Sequence, residues 1–225
     1  MIKEVLKMAA KSRNLVDDLA SALVESMRYC DSSLDYPDFK KVKPDDGVVA
    51  EWFYPIINGV NEFSELSAIL MYTQQEAKFE DIGELVLGIA MTEMKHYGKL
   101  NDFIKNLCGH IGKRYTSEHV QLGKNVLEAL RIAADGEQKT IDFYESILDK
   151  LRHTEAASTT IDITAQFVNK LIADEKVHLQ LLNDKISEYE TNGQRNLVAC
   201  GLCILFQVLT EERRRSIRDL GRNGR

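Results

Sequence analysis

Two of the five histidines have a glutamate three residues earlier: His96 in Glu-Met-Lys-His and His178 in Glu-Lys-Val-His. On a helix, three residues turn by about 300° and rise about 4.5 Å, so Glu93 and His96 share a face, as do Glu175 and His178. A carboxylate and an imidazole so placed can grip one ion. Taken singly, such a pair is common on solvated helix surfaces. Each pair, however, has an upstream companion of one pattern, Glu65 to Tyr72 (ELSAILMY) and Glu137 to Tyr144 (EQKTIDFY), both a glutamate, six residues and a tyrosine. The chain therefore reads as a duplicated helical hairpin, with Glu65 then Glu93/His96 in one half and Glu137 then Glu175/His178 in the other.

The elements that must position these residues are four long helices, expected near 56–78, 82–107, 125–152 and 160–190 from their apolar periodicity. Ligands on two antiparallel helices meet only when the turn lies midway between them. The midpoint of Glu65 and Glu93 is Phe79, and that of Glu137 and Glu175 is Ala156; both fall in expected turns. For the second hairpin to face the first, the link between the second and third helices must run the length of the bundle, about 39 Å at 1.5 Å per residue. Residues 108–124 could stretch to about 56 Å. The fourth helix is expected to stop at Thr191-Asn192-Gly193, where Asn and Gly tolerate a left-handed cap. Residues 2–29, apolar at Ile2, Val5, Leu6, Ala9, Leu15, Leu19, Leu23 and Met27, predict a further amphipathic helix, and residues 30–50, with Pro37, Pro44 and Gly47, a connecting loop. The division expected is 1–50 for N-terminal helix and linker, 51–192 for the bundle, and 193–225 for an apolar and then Arg-rich tail. That tail reads as a packing helix with a solvated end or an extension unrelated to the core, against a membrane-surface or partner-binding role.

The formal charge of −6 is uneven: residues 211–225 carry six Arg against three acids, leaving −9 on the rest. So acidic a body predicts no nucleic-acid partner. Four cysteines form no spaced framework, which fits a reducing cytoplasm. The N-terminal region, with Asp17, Asp18 and Glu25, lacks the apolar run of a signal peptide, and no segment reaches the roughly 18 apolar residues of a transmembrane span.

The six-residue set resembles that of the ferritin-like superfamily of di-metal carboxylate proteins, particularly rubrerythrins, bacterioferritins and manganese catalases, whose core carries one Glu on each of two helices and Glu-x-x-His on the other two. The resemblance covers about residues 51–190. It implies an all-α fold, a four-helix bundle with a long crossover between the second and third helices, to which this chain adds an N-terminal helix and a C-terminal appendage. It also implies that Glu65, Glu93, His96, Glu137, Glu175 and His178 ligate two iron or two manganese ions, with Glu93 and Glu175 bridging. Two departures stand out. Thr140 occupies the place where rubrerythrins usually carry a further acid, and Cys200/Cys203 is the sole Cys-x-x-Cys where a fused rubredoxin module would need two. The short first hairpin is similar to that of spore-coat manganese catalases.

Around the six, Asp174 is an expected hydrogen-bond acceptor for His178, with Thr92 in the matching place for His96, and Tyr72 and Tyr144 are candidates to bond ligating carboxylates or simply to pack. His110, His119 and His153 are expected to be exposed, and Glu62, Glu76 and Glu145 are read as non-ligands. Four buried carboxylates are strongly unfavourable unless cations neutralise them, so the cluster argues for function over stability. The leading expectation is a di-iron or di-manganese oxidoreductase acting on H₂O₂ or O₂, either a peroxidase served by a separate electron-donor protein or a catalase. Alternatives are ferritin-type iron oxidation and storage, or a non-catalytic metal-binding coat or scaffold protein. A homo-oligomer is expected in each case.

Overall fold

The computed structural model describes residues 27–44, 46–59, 61–110, 118, 120–154 and 158–222, with side chains up to residue 192. Nearly all of the N-terminal helix expected over 2–29 lies outside the described residues, as do the side chains of the apolar and Arg-rich tail. The helices are α1 (Tyr54–Ile57), α2 (Glu65–Lys78), α3 (Gly83–Asn106), α4 (Val126–Arg152) and α5 (Thr159–Arg222), and no strand occurs among the described residues. The fold is a ferritin-like helical bundle built from α2 to α5.

Two helix boundaries differ from expectation. The first core helix starts at Glu65, not near residue 56, because Gly59 takes a left-handed turn (φ 66°) and Asn61 organises a polar loop. The Asn61 Oδ1 accepts from Phe63 N at 3.1 Å, its amide donates to Pro55 O at 2.9 Å, and Ser64 caps the new helix by accepting from Ser67 N. At the other end of the core, α5 does not stop at Asn192-Gly193 but continues to Arg222. A glycine costs a helix interior only about 1 kcal/mol, which ends nothing when good helix formers follow and no proline enforces a break.

The remaining caps follow the sequence. Phe79 closes α2 ahead of a 3-10 turn over Glu80–Ile82, Asn125 caps α4 by accepting from Glu128 N at 2.9 Å, and Ser158 accepts from Ile161 N at 3.1 Å at the start of α5. The crossover can be located from its two ends. His110 N donates to the Tyr54 hydroxyl just past the end of α3, whereas Lys78 at the end of α2 reaches Gly123 O at 2.7 Å and Gln75 reaches Ala129 O at 3.3 Å. Since α2 and α3 are antiparallel neighbours, these ends lie about one helix length apart, the distance that residues 110–123 connect. Residues 111–117 on that path lie outside the described residues. Gly123 (φ 78°) seats α4 tightly: a Cβ there would fall 2.5 Å from Ala129 N.

The connecting stretch of residues 30–50 is a loop, but much of it is core. Phe39 stacks edge-on with Phe103 and Phe167 at 5.2 and 4.9 Å, and Phe53 with Phe103 at 5.2 Å. Val48, Ala50, Ile56 and Ile57 are buried in the same cluster. Each buried phenylalanine contributes roughly 2–3 kcal/mol of transfer free energy, so this stretch is pinned against α3 and α5. By its contacts the chain forms two units, Met1–Asn183 and Asp184–Arg225. The first contains the bundle core; the second is the remainder of α5 and the residues after it. Among the described residues, no helix is long and apolar enough to cross a membrane.

Candidate metal centre

Glu65 opens α2, Glu93 and His96 lie midway along α3, Glu137 is near the middle of α4, and Glu175 and His178 are on α5. None of the six is more than 4% exposed. Their ligand atoms form two overlapping groups, Glu65/Glu93/His96/Glu175 and Glu93/Glu137/Glu175/His178, each within 4.8 Å. Glu93 and Glu175 belong to both. The two imidazoles face each other at 5.8 Å between centroids, tilted by 32°. All six sequence-expected residues are thus brought to one depth in the core.

Both rings turn Nδ1 inward. His96 Nδ1 lies 3.1, 3.3 and 3.5 Å from oxygens of Glu175, Glu93 and Glu65. His178 Nδ1 lies 2.9, 3.1 and 3.6 Å from oxygens of Glu93, Glu175 and Glu137. The outward Nε2 of His178 is 2.9 Å from Tyr29 O, a carbonyl that can only accept, so that nitrogen carries the ring proton. The Nε2 of His96 is 3.2 Å from Asp174 Oδ2, a carboxylate held down to about 2: burial opposes its charge but is outweighed by bonds from His96, Lys170 and Tyr36. With Nε2 carrying one proton, each ring turns Nδ1 to three carboxylates, an arrangement that repels itself unless a cation, either a metal ion or a proton on Nδ1, sits among them. The buried oxygens Glu65 Oε2, Glu93 Oε1 and Glu175 Oε1 accept no hydrogen bond. Inward-turned imidazole nitrogens and orphaned carboxylate oxygens in two groups fit two cations.

Without metal, protons take the cations' part. Burial, and then the charge of Glu93, push the Glu65 carboxyl well above its usual range; burial with Glu175 and Glu93 does the same to Glu137. Burial disfavours charge on the imidazoles, but Tyr36, Glu175 and Asp174 outweigh it at His96, and Glu137, Glu175 and Glu93 at His178, so both rings bind protons more tightly than usual. Burial also opposes the charge on Glu93 and Glu175, yet both stay ionised more readily than usual, Glu93 through Glu65 and His178, Glu175 through His96 and His178.

The surroundings hold two surprises. The tyrosines bond across the hairpins, Tyr72 donating to Glu137 and Tyr144 to Glu65, each to the partner half's glutamate. Asp174 serves His96 on α3, not His178 on its own helix, and His178 is served by the backbone of Tyr29. The hydroxyl of Thr92 meets only Cys30 Sγ at 3.7 Å and Gly88 O at 3.5 Å. Asp174 is itself held by the Tyr36 hydroxyl at 2.8 Å, Asp31 N at 2.6 Å and Lys170 Nζ at 2.6 Å. Sequence reasoning missed Tyr29, Asp31, Tyr36 and Lys170; the four-residue spacing of Lys170 and Asp174 was the one available signal. Thr140 donates to Phe63 O at 3.0 Å and lies against Gly136 O at 3.1 Å. His110, His153, Glu62, Glu76 and Glu145 are exposed and outside both ligand groups, while His119 and the side chains of Cys200 and Cys203 lie outside the described residues.

A family model described as rubrerythrin matches residues 60–186, which span the whole ligand set. Among solved structures, the chain is similar to a Rhodobacter capsulatus bacterioferritin described as having a metal-free dinuclear site and haem iron. The identity is 22%, the TM-score 0.56, and the match covers 68% of this chain and 91% of that one. This likeness bears on the fold. No curated protein sequence matches the chain.

Proposed function

Because the chain belongs to the rubrerythrin family, we propose that it is a di-metal oxidoreductase whose two ions react with hydrogen peroxide. The observation that carries this reading is the pair of ligand groups sharing Glu93 and Glu175, with both imidazole lone pairs turned inward. Two iron or manganese ions, when bound, would supply the two-electron change that breaks the peroxide O–O bond. The set of oxygens and imidazoles, with no thiolate, suits either metal.

The protein's part is to hold and shield. Glu65 and His96 with the two shared glutamates would grip one ion, and Glu137 and His178 with the same glutamates the other. Asp174 and Tyr29 O keep each ring proton outward, so that Nδ1 stays free to ligate. Tyr72 and Tyr144 remain protonated, since burial and then the nearest glutamate (Glu137 and Glu65 respectively) disfavour phenolate, and each steadies one unshared glutamate by donation. The closed core keeps bulk water and larger reductants from the ions, so reducing electrons arrive either from a separate electron-donor protein or from a second peroxide. On this reading the protein works as a homo-oligomer in a reducing cytoplasm.

Metal analysis with peroxide turnover tests it: two Fe or Mn per chain and peroxide consumption support the enzyme, whereas a stable protein that takes up neither metal supports a scaffold. Oxygen evolution without added reductant identifies a catalase; consumption that requires a reductant identifies a peroxidase. Iron accumulating far beyond two ions per chain would instead mark storage.

A further inference from the structure

We infer that the seam between the loop ahead of α2 and helix α4 is the route by which a water-sized neutral oxidant reaches the site, and that Gly136 sets its bore. The inference rests on the peroxide reading above. An outer cavity of about 280 Å³ opens beside Glu62, Met71, Gly136 and Lys139. An inner cavity of about 10 Å³ shares Glu62, Met71 and Gly136 with it and ends at Glu65, Glu93 and Glu137. Roughly 10–15 Å³ is the space one water needs, so the inner chamber is on the scale of one very small molecule and stops bulkier ones.

The seam is braced on both sides. Lys139 of α4 pairs with Glu62 at 3.2 Å and Asp135 at 2.8 Å, and Thr140 bonds Phe63 O at 3.0 Å. Thr140 thus ties the wall of the passage instead of adding a carboxylate to the site. Gly136 is helical, yet a Cβ there would meet nothing within 4 Å, so any side chain would project into open space on the lining of both cavities. Replacing a helical glycine adds helix propensity, so such variants should fold and retain the ligand set.

The test loads wild type, Gly136→Ala and Gly136→Leu anaerobically with Fe(II). Iron per chain is measured, and nitric oxide binding, a neutral water-sized probe of access, is followed by stopped-flow absorbance. The expected result is equal iron in all three, a binding rate lowered severalfold in the alanine variant and at least tenfold in the leucine variant, and an unchanged final amplitude. Wild type should also consume tert-butyl hydroperoxide at least a hundredfold more slowly than H₂O₂. A leucine variant that holds its iron and binds nitric oxide at the wild-type rate overturns the route. Should that variant fail to hold iron, an unchanged rate in the alanine variant overturns it equally. A rate sensitive to residue 136 in a protein that consumes no peroxide leaves the route standing and removes the peroxide reading instead.

Discussion

The two halves of the site agree on the inside and differ on the outside. Inward, each hairpin presents one glutamate early and a Glu-x-x-His pair later, and each tyrosine crosses to the other half's glutamate. Outward, His96 leans on a buried carboxylate braced by Tyr36, Lys170 and Asp31 N, whereas His178 leans on one backbone carbonyl. The difference teaches where symmetry is required. Two like ions need like ligands, but the support behind each ligand can come from any group of the right polarity. Here it comes partly from Asp174 and Lys170 on α5 and partly from residues 29–36, which belong to neither half. A carboxylate behind one imidazole makes that ring more basic than a carbonyl can, so the two ions should not be equivalent.

The comparison can be broken most forcefully at the shared glutamates. Glu93→Gln or Glu175→Gln should abolish binding of both ions, whereas Glu65→Gln or Glu137→Gln should chiefly weaken one; metal per chain by elemental analysis decides, and two retained ions in either of the first pair would contradict the sharing. Next comes the outer asymmetry. Asp174→Asn should lower metal affinity by about 10–100-fold, while Thr92→Val, at the matching position of α3, should leave it within about twofold, as read by competition with a chelator. Equal losses would mean that the outer supports are interchangeable.

Acidity should act on both halves together. In the metal-free protein the carboxyls of Glu65 and Glu137 and both imidazoles hold protons more tightly than usual. Loading must therefore release protons, and apparent affinity should rise with pH through and above the ordinary carboxyl and imidazole ranges and fall on acidification. An indicator titration in weak buffer would register the release, and pH-independent affinity would refute the coupling. The smallest effect concerns the inner symmetry. Tyr72→Phe and Tyr144→Phe should each cost about 1–3 kcal/mol in the stability of the loaded protein, by similar amounts, because each leaves one buried carboxylate oxygen without its donor. Chemical denaturation compares them, and a large inequality would show that the halves differ inside as well.

Much of this was readable from residue types and spacing. The i, i+3 pairs His96/Glu93 and His178/Glu175, the repeated glutamate-to-tyrosine spacing and the turn midpoint at Phe79 are local or periodic, and helix geometry converts them directly into shared faces. The late start of α2 was harder, since it turned on the left-handed Gly59 and the Asn61 loop, and apolar periodicity runs past both. The continuation of α5 through Gly193 was a matter of balance: one glycine offered a stop, and no proline follows in the sequence to enforce it.

The sequence by itself determined the duplicated set of candidate ligands and the helical bundle able to gather it, because a helix fixes the angle and rise between neighbours whatever else surrounds them. Only the tertiary structure decided that Asp174 would serve His96, that Tyr72 and Tyr144 would each reach across to the other half, that Tyr36 would brace Asp174, and that the Tyr29 carbonyl would meet His178. Those contacts join residues 65 to 149 positions apart. Their pairing is set by how the helices are turned against one another and by the need to satisfy every buried polar group, neither of which leaves a mark in local spacing.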